Sequence, residues 1–189
     1  FDAEATLDDD DFEEICIQAE HSYLGDLDMT LTSPNGQIVE LFTQTGGTTF
    51  LGDAIDGDYL FPEDEIVCGE CWEYCWSTEP QFGTFANSGA NTMPTSLGGN
   101  AMIPGSYTPN GSFSDFQGSS ANGVWTLTIT DNLTVDNGFI CSWGITLNVV
   151  GEEEEVIVDS LVPEILSYGW YCAEEPSSIV TFDSTSVVV

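Results

Sequence analysis

The 189 residues carry 33 Asp plus Glu, one His and no Lys or Arg, a formal net charge of −33. An average domain would hold roughly two dozen basic residues, and their absence excludes partners read through phosphate: nucleic acid needs cations to neutralise its backbone, and so do anionic lipid head groups. Cations, basic proteins and neutral glycans are left as expected partners, with no nucleic acid and no membrane insertion, since no apolar run approaches the roughly 18 residues of a spanning helix.

Spread over about 9,000 Å² of folded surface, the charges would stand roughly two Debye lengths apart at physiological salt, so folding is feasible. A hydrophobic fraction of 41% with 11 Phe, 6 Tyr and 5 Trp is that of a folded chain rather than a disordered one. The first segment, 1–12, reads as an acidic linker, because the Asp8–Asp11 run repels itself and favours a solvated, disordered stretch.

A β-sandwich is expected over 13–150. In Asp26–Thr32, Leu27, Met29 and Leu31 share one face while Asp28, Thr30 and Thr32 take the other, the two-residue period of a half-buried strand. Pro34-Asn35-Gly36 turns the chain into Ile38–Phe42, a hairpin. The stretch from Gly57 to Ser120 is irregular and aromatic-rich, with Trp72, Tyr74, Trp76, Phe82 and Phe85, and reads as long surface loops. Trp125, Leu127 and Ile129 then alternate with threonines. Cys141, Trp143, Ile145, Leu147 and Val149 form a last alternating strand. No stretch keeps a helical period, and many short strands with Gly, Pro and Asn turns mean an all-β sandwich or barrel.

Residues 151–189 read differently: the acidic run Glu152–Glu155 acts as a linker, and β-prone segments follow at 156–162 and 179–189. They fit extra strands of the same domain, the start of a next domain, or a strand given to a neighbouring molecule, since a bare Val-rich strand invites pairing. The chain starts at Phe1 without Met and ends on Val187-Val188-Val189 in what looks like mid-strand; an excerpt of something longer is expected.

Six cysteines, Cys16, Cys68, Cys71, Cys75, Cys141 and Cys172, form an even set. Cys68, Cys71 and Cys75 have the spacing of half a zinc site, but a closed site needs four ligands and the only His is remote. Disulfides in an oxidising, extracellular compartment fit better. Their pairing stays open, with the central loop stapled to itself or to the first strand.

The stretch from His21-Ser22-Tyr23-Leu24-Gly25-Asp26 to Ser33-Pro34-Asn35-Gly36 resembles the opening motif of the proprotein convertase P domain. The stretch from Asn122-Gly123-Val124-Trp125 to Asp131-Asn132, with Asp136-Asn137-Gly138 and Ser142-Trp143-Gly144, resembles its closing motif. Tyr74-Cys75-Trp76 and Leu51-Gly52-Asp53 also have counterparts in the P-like domains of large secreted and cell-surface proteins of Bacteroidota. The resemblance implies a jelly-roll-like antiparallel β-sandwich without catalysis of its own, either stabilising an attached protease or decorating adhesins and gliding-type surface proteins. No protease domain and no sorting module of the type IX secretion kind is evident in the sequence.

Chemistry is sparse. A Ser-His-Asp relay would have to use His21, which reads as a structural histidine at a strand entry, and no paired-carboxylate cleft stands out. Catalytic residues: none. Calcium, a hard cation that takes six to eight oxygens, is the expected ion. Asp53, Asp56 and Asp58 around Gly57 are the first choice of ligands, with Asp26, Asp28, Asp131 and Asp136 as a second group; the resemblance supports calcium in such loops. Trp72 and Trp76 are candidate glycan contacts, and Asn110 and Asn132 head sequons for glycosylation. The expected function is a structural and adhesive module of an extracellular surface protein. Its alternatives are an accessory domain of a secreted protease, a glycan-binding module, and a filament subunit that exchanges its 179–189 strand with neighbouring subunits.

Overall fold

The structure, a computed structural model, describes residues 5–55, 68–85, 91–96, 98–133 and 136–149, with the backbone of Ser186–Val188. The strands in chain order are β1 (Phe12–His21), β2 (Leu27–Thr32), β3 (Ile38–Phe42), β4 (Trp72–Ser77), β5 (Thr92–Pro94), β6 (Asn100–Met102), β7 (Gly105–Tyr107), β8 (Thr126–Asp131), β9 (Gly138–Leu147) and β10 (Ser186–Val188). The only helical pieces among the described elements are short 3-10 turns, Leu24–Asp26 and Phe113–Phe116.

Two four-stranded sheets are built in the orders β7-β4-β1-β9 and β10-β8-β2-β3, and β5-β6 forms a small ribbon. The chain is all-β as expected, with one departure from an antiparallel pattern: β4 and β7 run parallel, joined through the long connection between them. The inner faces of both sheets feed one hydrophobic core. Ile15, Ile17, Tyr74, Trp76 and Trp143 come from the first sheet, and Met29, Leu31, Val39, Leu127 and Ile129 from the second. Face-to-face packing of this kind is a sandwich.

The alternation of β2 holds: Leu27, Met29 and Leu31 are buried, and Thr30 and Thr32 lie opposite Thr128 and Thr126 of β8 on the outer face. The turn after it closes through Gly36 N–H to Ser33 O (2.9 Å), with Gly36 at φ +85° where a side chain would be strained. In β3 a bulge at Leu41 lets Leu41 and Phe42 both face the core.

β9 departs from its expected pattern. Gln18 pairs with Ser142 and Ala19 with Ile140, leaving Cys141 as the extra residue of a bulge. The parity switches there, so Trp143 and Ile140 lie opposite Ile17 and Ala19 on the core face, Phe139 lies opposite Glu20 on the other face, and Cys141 is exposed and does not share Trp143's face. A second bulge, at Glu13 in β1, places Phe12 and Ile15 both inward although they stand three apart.

Two other expectations are corrected. Asp8–Asp11 is largely solvent-exposed as expected but forms an ordered turn rather than a disordered run: Asp8 N–H donates to Asp11 Oδ2 (2.8 Å), and Asn148 N–H holds Asp11 O (2.7 Å). It is pinned because Leu7 before it and Phe12 after it are both core residues, 1% exposed. Trp76 is fully buried, packed against Phe85 at 5.2 Å between ring centroids, so it cannot offer its face to a glycan. Trp72, on the same inward parity of β4, is partly buried against the core.

Cys16 pairs with Cys75 across directly opposed positions of β1 and β4. Cys71 pairs with Cys141, linking β4 to β9 over β1, which lies between them. Cys68 is disulfide-bonded as well; Cys172 lies outside the described residues, as do 150–185, so the readings of that region rest here only on β10. Its backbone pairs antiparallel with β8, Val187 opposite Ile129.

Candidate functional site

The polar residues that the core does not absorb gather at one end of the sandwich, where β1 ends, β8 ends and β9 begins. Leu27 is paired with Asp131 and His21 with Gly138, so the ladder itself delivers Asp26, Asp131 and the Asp136–Asn137 turn to the same end as His21. Ser22 N–H donates to Asn137 O (3.1 Å), and Ser22 Oγ lies 3.4 Å from Asp136 Oδ1.

His21 is 6% exposed. Its Nδ1 accepts from Tyr23 N–H (3.0 Å), which puts the ring proton on Nε2, 3.4 Å from Asp131 Oδ2. That separation exceeds a good hydrogen bond, and the contact is electrostatic. A Ser-His-Asp relay needs one ring nitrogen for the hydroxyl and the other for the acid. Here Nδ1 is taken by backbone, and the neighbouring hydroxyl of Ser22 turns to Asp136 instead.

Asp26 is 2% exposed and its Oδ2 has no hydrogen-bond partner. Burial pushes its carboxyl above the ordinary range, the charges of Asp136 and Asp131 add to this, and the hydrogen-bond contact with Asp136 works the same way, against a small opposing effect of His21. Neighbouring carboxylates repel one another unless a proton or a cation offsets the charge. The donors are all oxygen, which suits a hard ion. Asp26, Asp131 and Asp136 are not drawn together as a closed trio, however. Among the described residues the one group of three or more acids, Cys or His with ligand atoms within 4.8 Å of one another is Glu14, Cys16 and Cys75, whose cysteines are spent in a disulfide.

The other nominated ligands separate. Both oxygens of Asp28 are engaged, Oδ1 by Gln44 N–H (3.2 Å) and Oδ2 by Asn132 Nδ2 (2.8 Å). Asp53 Oδ1 accepts from Ser96 N–H (3.0 Å) and lies in the antiparallel bridge to Glu70. Asp56 and Asp58 lie outside the described residues. The sequon amides are also occupied: Asn110 Nδ2 donates to Glu40 Oε1 (3.1 Å), and Asn132 Nδ2 donates to Asp26 O (2.9 Å) as well as to Asp28.

The sequence reading missed Glu20. It is 1% exposed, its Oε1 accepts from Gly69 N–H (3.2 Å) and its Oε2 has no partner. Burial pushes its carboxyl up to about 7, with the Gly69 bond pulling the other way. Its alternation with Gln18 points to the solvent face, so no local signal marks it; it is covered by chain more than thirty residues away.

Residues 14–65 match the family model of the proprotein convertase P-domain. No curated protein and no solved structure matches the chain. The matched segment takes in β1 to β3 and the opening motif, and ends before the closing motif at 122–147. The likeness points to a non-catalytic accessory or stabilising module, and with the disulfides it suggests a secreted or extracellular protein. No helix among the described residues is long and apolar enough to cross a membrane.

Proposed function

We propose that this chain is a non-catalytic accessory module of an extracellular surface protein, serving adhesion or the bracing of attached domains, and that it holds a calcium ion at Asp26 and Asp136 with Asp131 beside them. The observation that supports the ion is the buried, unpartnered Oδ2 of Asp26, its carboxyl raised by burial and by the charges of Asp136 and Asp131, in a chain without Lys or Arg to neutralise them. Backbone carbonyls and water would complete the oxygen shell. Bound there, calcium neutralises the carboxyl pair and ties the ends of β8 and β9 to the turn at Leu24–Asp26.

The test is thermal unfolding of the chain with calcium and with chelator at constant ionic strength. A ligand at 100 times its dissociation constant stabilises by about 2.7 kcal/mol, and Asp26→Asn is expected to abolish that gain. An unchanged midpoint, or an equal gain in the variant, overturns the site. Terbium luminescence reports occupancy independently of stability.

A second reading, an accessory domain of a secreted protease, is favoured by the P-domain match at 14–65. A protease domain directly upstream in the parent coding sequence decides for it. A glycan-binding role through Trp76 is not proposed, because that side chain is buried.

A further inference from the structure

Glu20 is the most deeply buried acid of the described residues. It stands at the end of β1, and two backbone stretches pack on it: 51–54, through Gly52, and 68–70, through Gly69. These stretches are joined to each other by paired bonds between Asp53 and Glu70, N···O 2.9 and 3.1 Å, and to β1 by paired bonds between His21 and Leu51, both 2.9 Å.

The packing on the stem of Glu20 is close. Gly52 sits at φ +62°, where a Cβ would meet the Glu70 carbonyl and come within 2.8 Å of Glu20 Cβ and 2.9 Å of Ala19 O. A calcium ion needs six or more oxygens around it; a proton needs one.

Among the described residues no side chain compensates an ionised Glu20. The 51–54 stretch brings Asp53, held by Ser96 N–H, and the 68–70 stretch brings Glu70. From β4 comes Glu73, opposite Gln18. From β9 come the uncharged Phe139 and Ile140, and on β1 itself His21 is turned to Asp131. The intervening sequence, 56–67, holds Asp56, Asp58, Glu63, Asp64 and Glu65 and no base. Apart from His21, every charged neighbour among the described residues repels a carboxylate at this position.

We propose that Glu20 is a proton-operated latch: as the neutral acid it holds the 51–54 and 68–70 stretches on the end of β1, and its ionisation loosens them. The sign follows from a folded-state carboxyl raised from 4.5 to about 7: the stabilisation is complete below the unfolded value and is lost as pH rises through about 7. The latch gives the module a response to mildly acidic against mildly alkaline surroundings. It does not depend on the calcium reading.

Amide hydrogen exchange of the full chain, corrected for intrinsic rates and run with calcium at saturation so that the Asp26 end stays constant, tests it. Between about pH 5.5 and about pH 8.5, protection at Asp53, Gly69 and Glu70 is expected to fall roughly tenfold with a midpoint near 7, while protection at Ile17 and Trp143 holds. Glu20→Gln, which mimics the neutral acid, is expected to keep the protection at the higher pH. A flat profile in the wild type, or the same loss in the variant, overturns the latch. Should the variant not fold, carbon NMR titration of the Glu20 carboxyl in the wild type decides: a midpoint near 7 supports the latch and one below about 5 overturns it.

Discussion

Gly138 and His21, paired across β1 and β9, share a space that only a glycine and a ring can share: a Cβ on residue 138 would fall on the imidazole. The ring is fixed by Tyr23 N–H on one side and Asp131 on the other, so it has nowhere to retreat. Gly138→Ala is therefore expected to destabilise by about 1–3 kcal/mol, the usual cost of overpacking, lowering the melting midpoint by several degrees. Chemical denaturation measures it; an unchanged midpoint would mean that the ring has a second resting place.

The two described disulfides close loops of similar size, with sequence separations of 59 and 70. Chain-entropy reasoning gives about 4 kcal/mol for each. Cys16→Ser with Cys75→Ser, and Cys71→Ser with Cys141→Ser, should each lower stability by roughly that amount in equilibrium unfolding. A loss under about 1 kcal/mol for either pair would show that residual structure already constrains the unfolded chain.

Trp76 and Trp72 lie on the same inward parity of β4 but differ in burial. Trp76→Ala removes a fully buried indole and is expected to cost about 3–5 kcal/mol, whereas Trp72→Ala should cost well under half of that. Paired urea titrations compare them; equal losses would contradict the burial difference.

The net charge of −33 makes stability depend on ionic strength. Raising sodium chloride from about 0.01 M to about 1 M shortens the Debye length from roughly 30 to 3 Å, and the melting midpoint should climb across that range in chelator. The increment from calcium should persist at high salt, because a coordinated ion is not a screening effect. A calcium effect that vanishes at about 1 M salt would reduce it to screening.

Glu20 has a thermodynamic consequence of its own. A carboxyl raised from 4.5 to about 7 corresponds to on the order of 3 kcal/mol at full ionisation. Glu20→Gln should thus match the wild type near pH 4.5 and exceed it above pH 7 by up to that order. Denaturant midpoints across the range measure the difference, and a constant offset would assign it to packing rather than ionisation.

Local pattern determined much of this protein. The alternation of Leu27, Met29 and Leu31, the Pro34-Asn35-Gly36 turn and the Trp125–Ile129 alternation announced an all-β chain, because strand parity and turn chemistry are written in neighbouring residues. The missing Lys and Arg defined the electrostatics in the same direct way. Only the tertiary structure decided the rest. The bulges at Glu13 and Cys141 switch parity through pairing with a distant strand, which put Phe12 on Ile15's face and moved Cys141 off Trp143's face. Trp76 looks like any aromatic of a loop-rich stretch until β4 is placed inside the first sheet. Asp26, Asp131 and Asp136 become neighbours through register. Glu20 became a buried acid because backbone from 51–54 and 68–70 lies over it. Burial is set by what packs on a residue, and that chain arrives from far along the sequence.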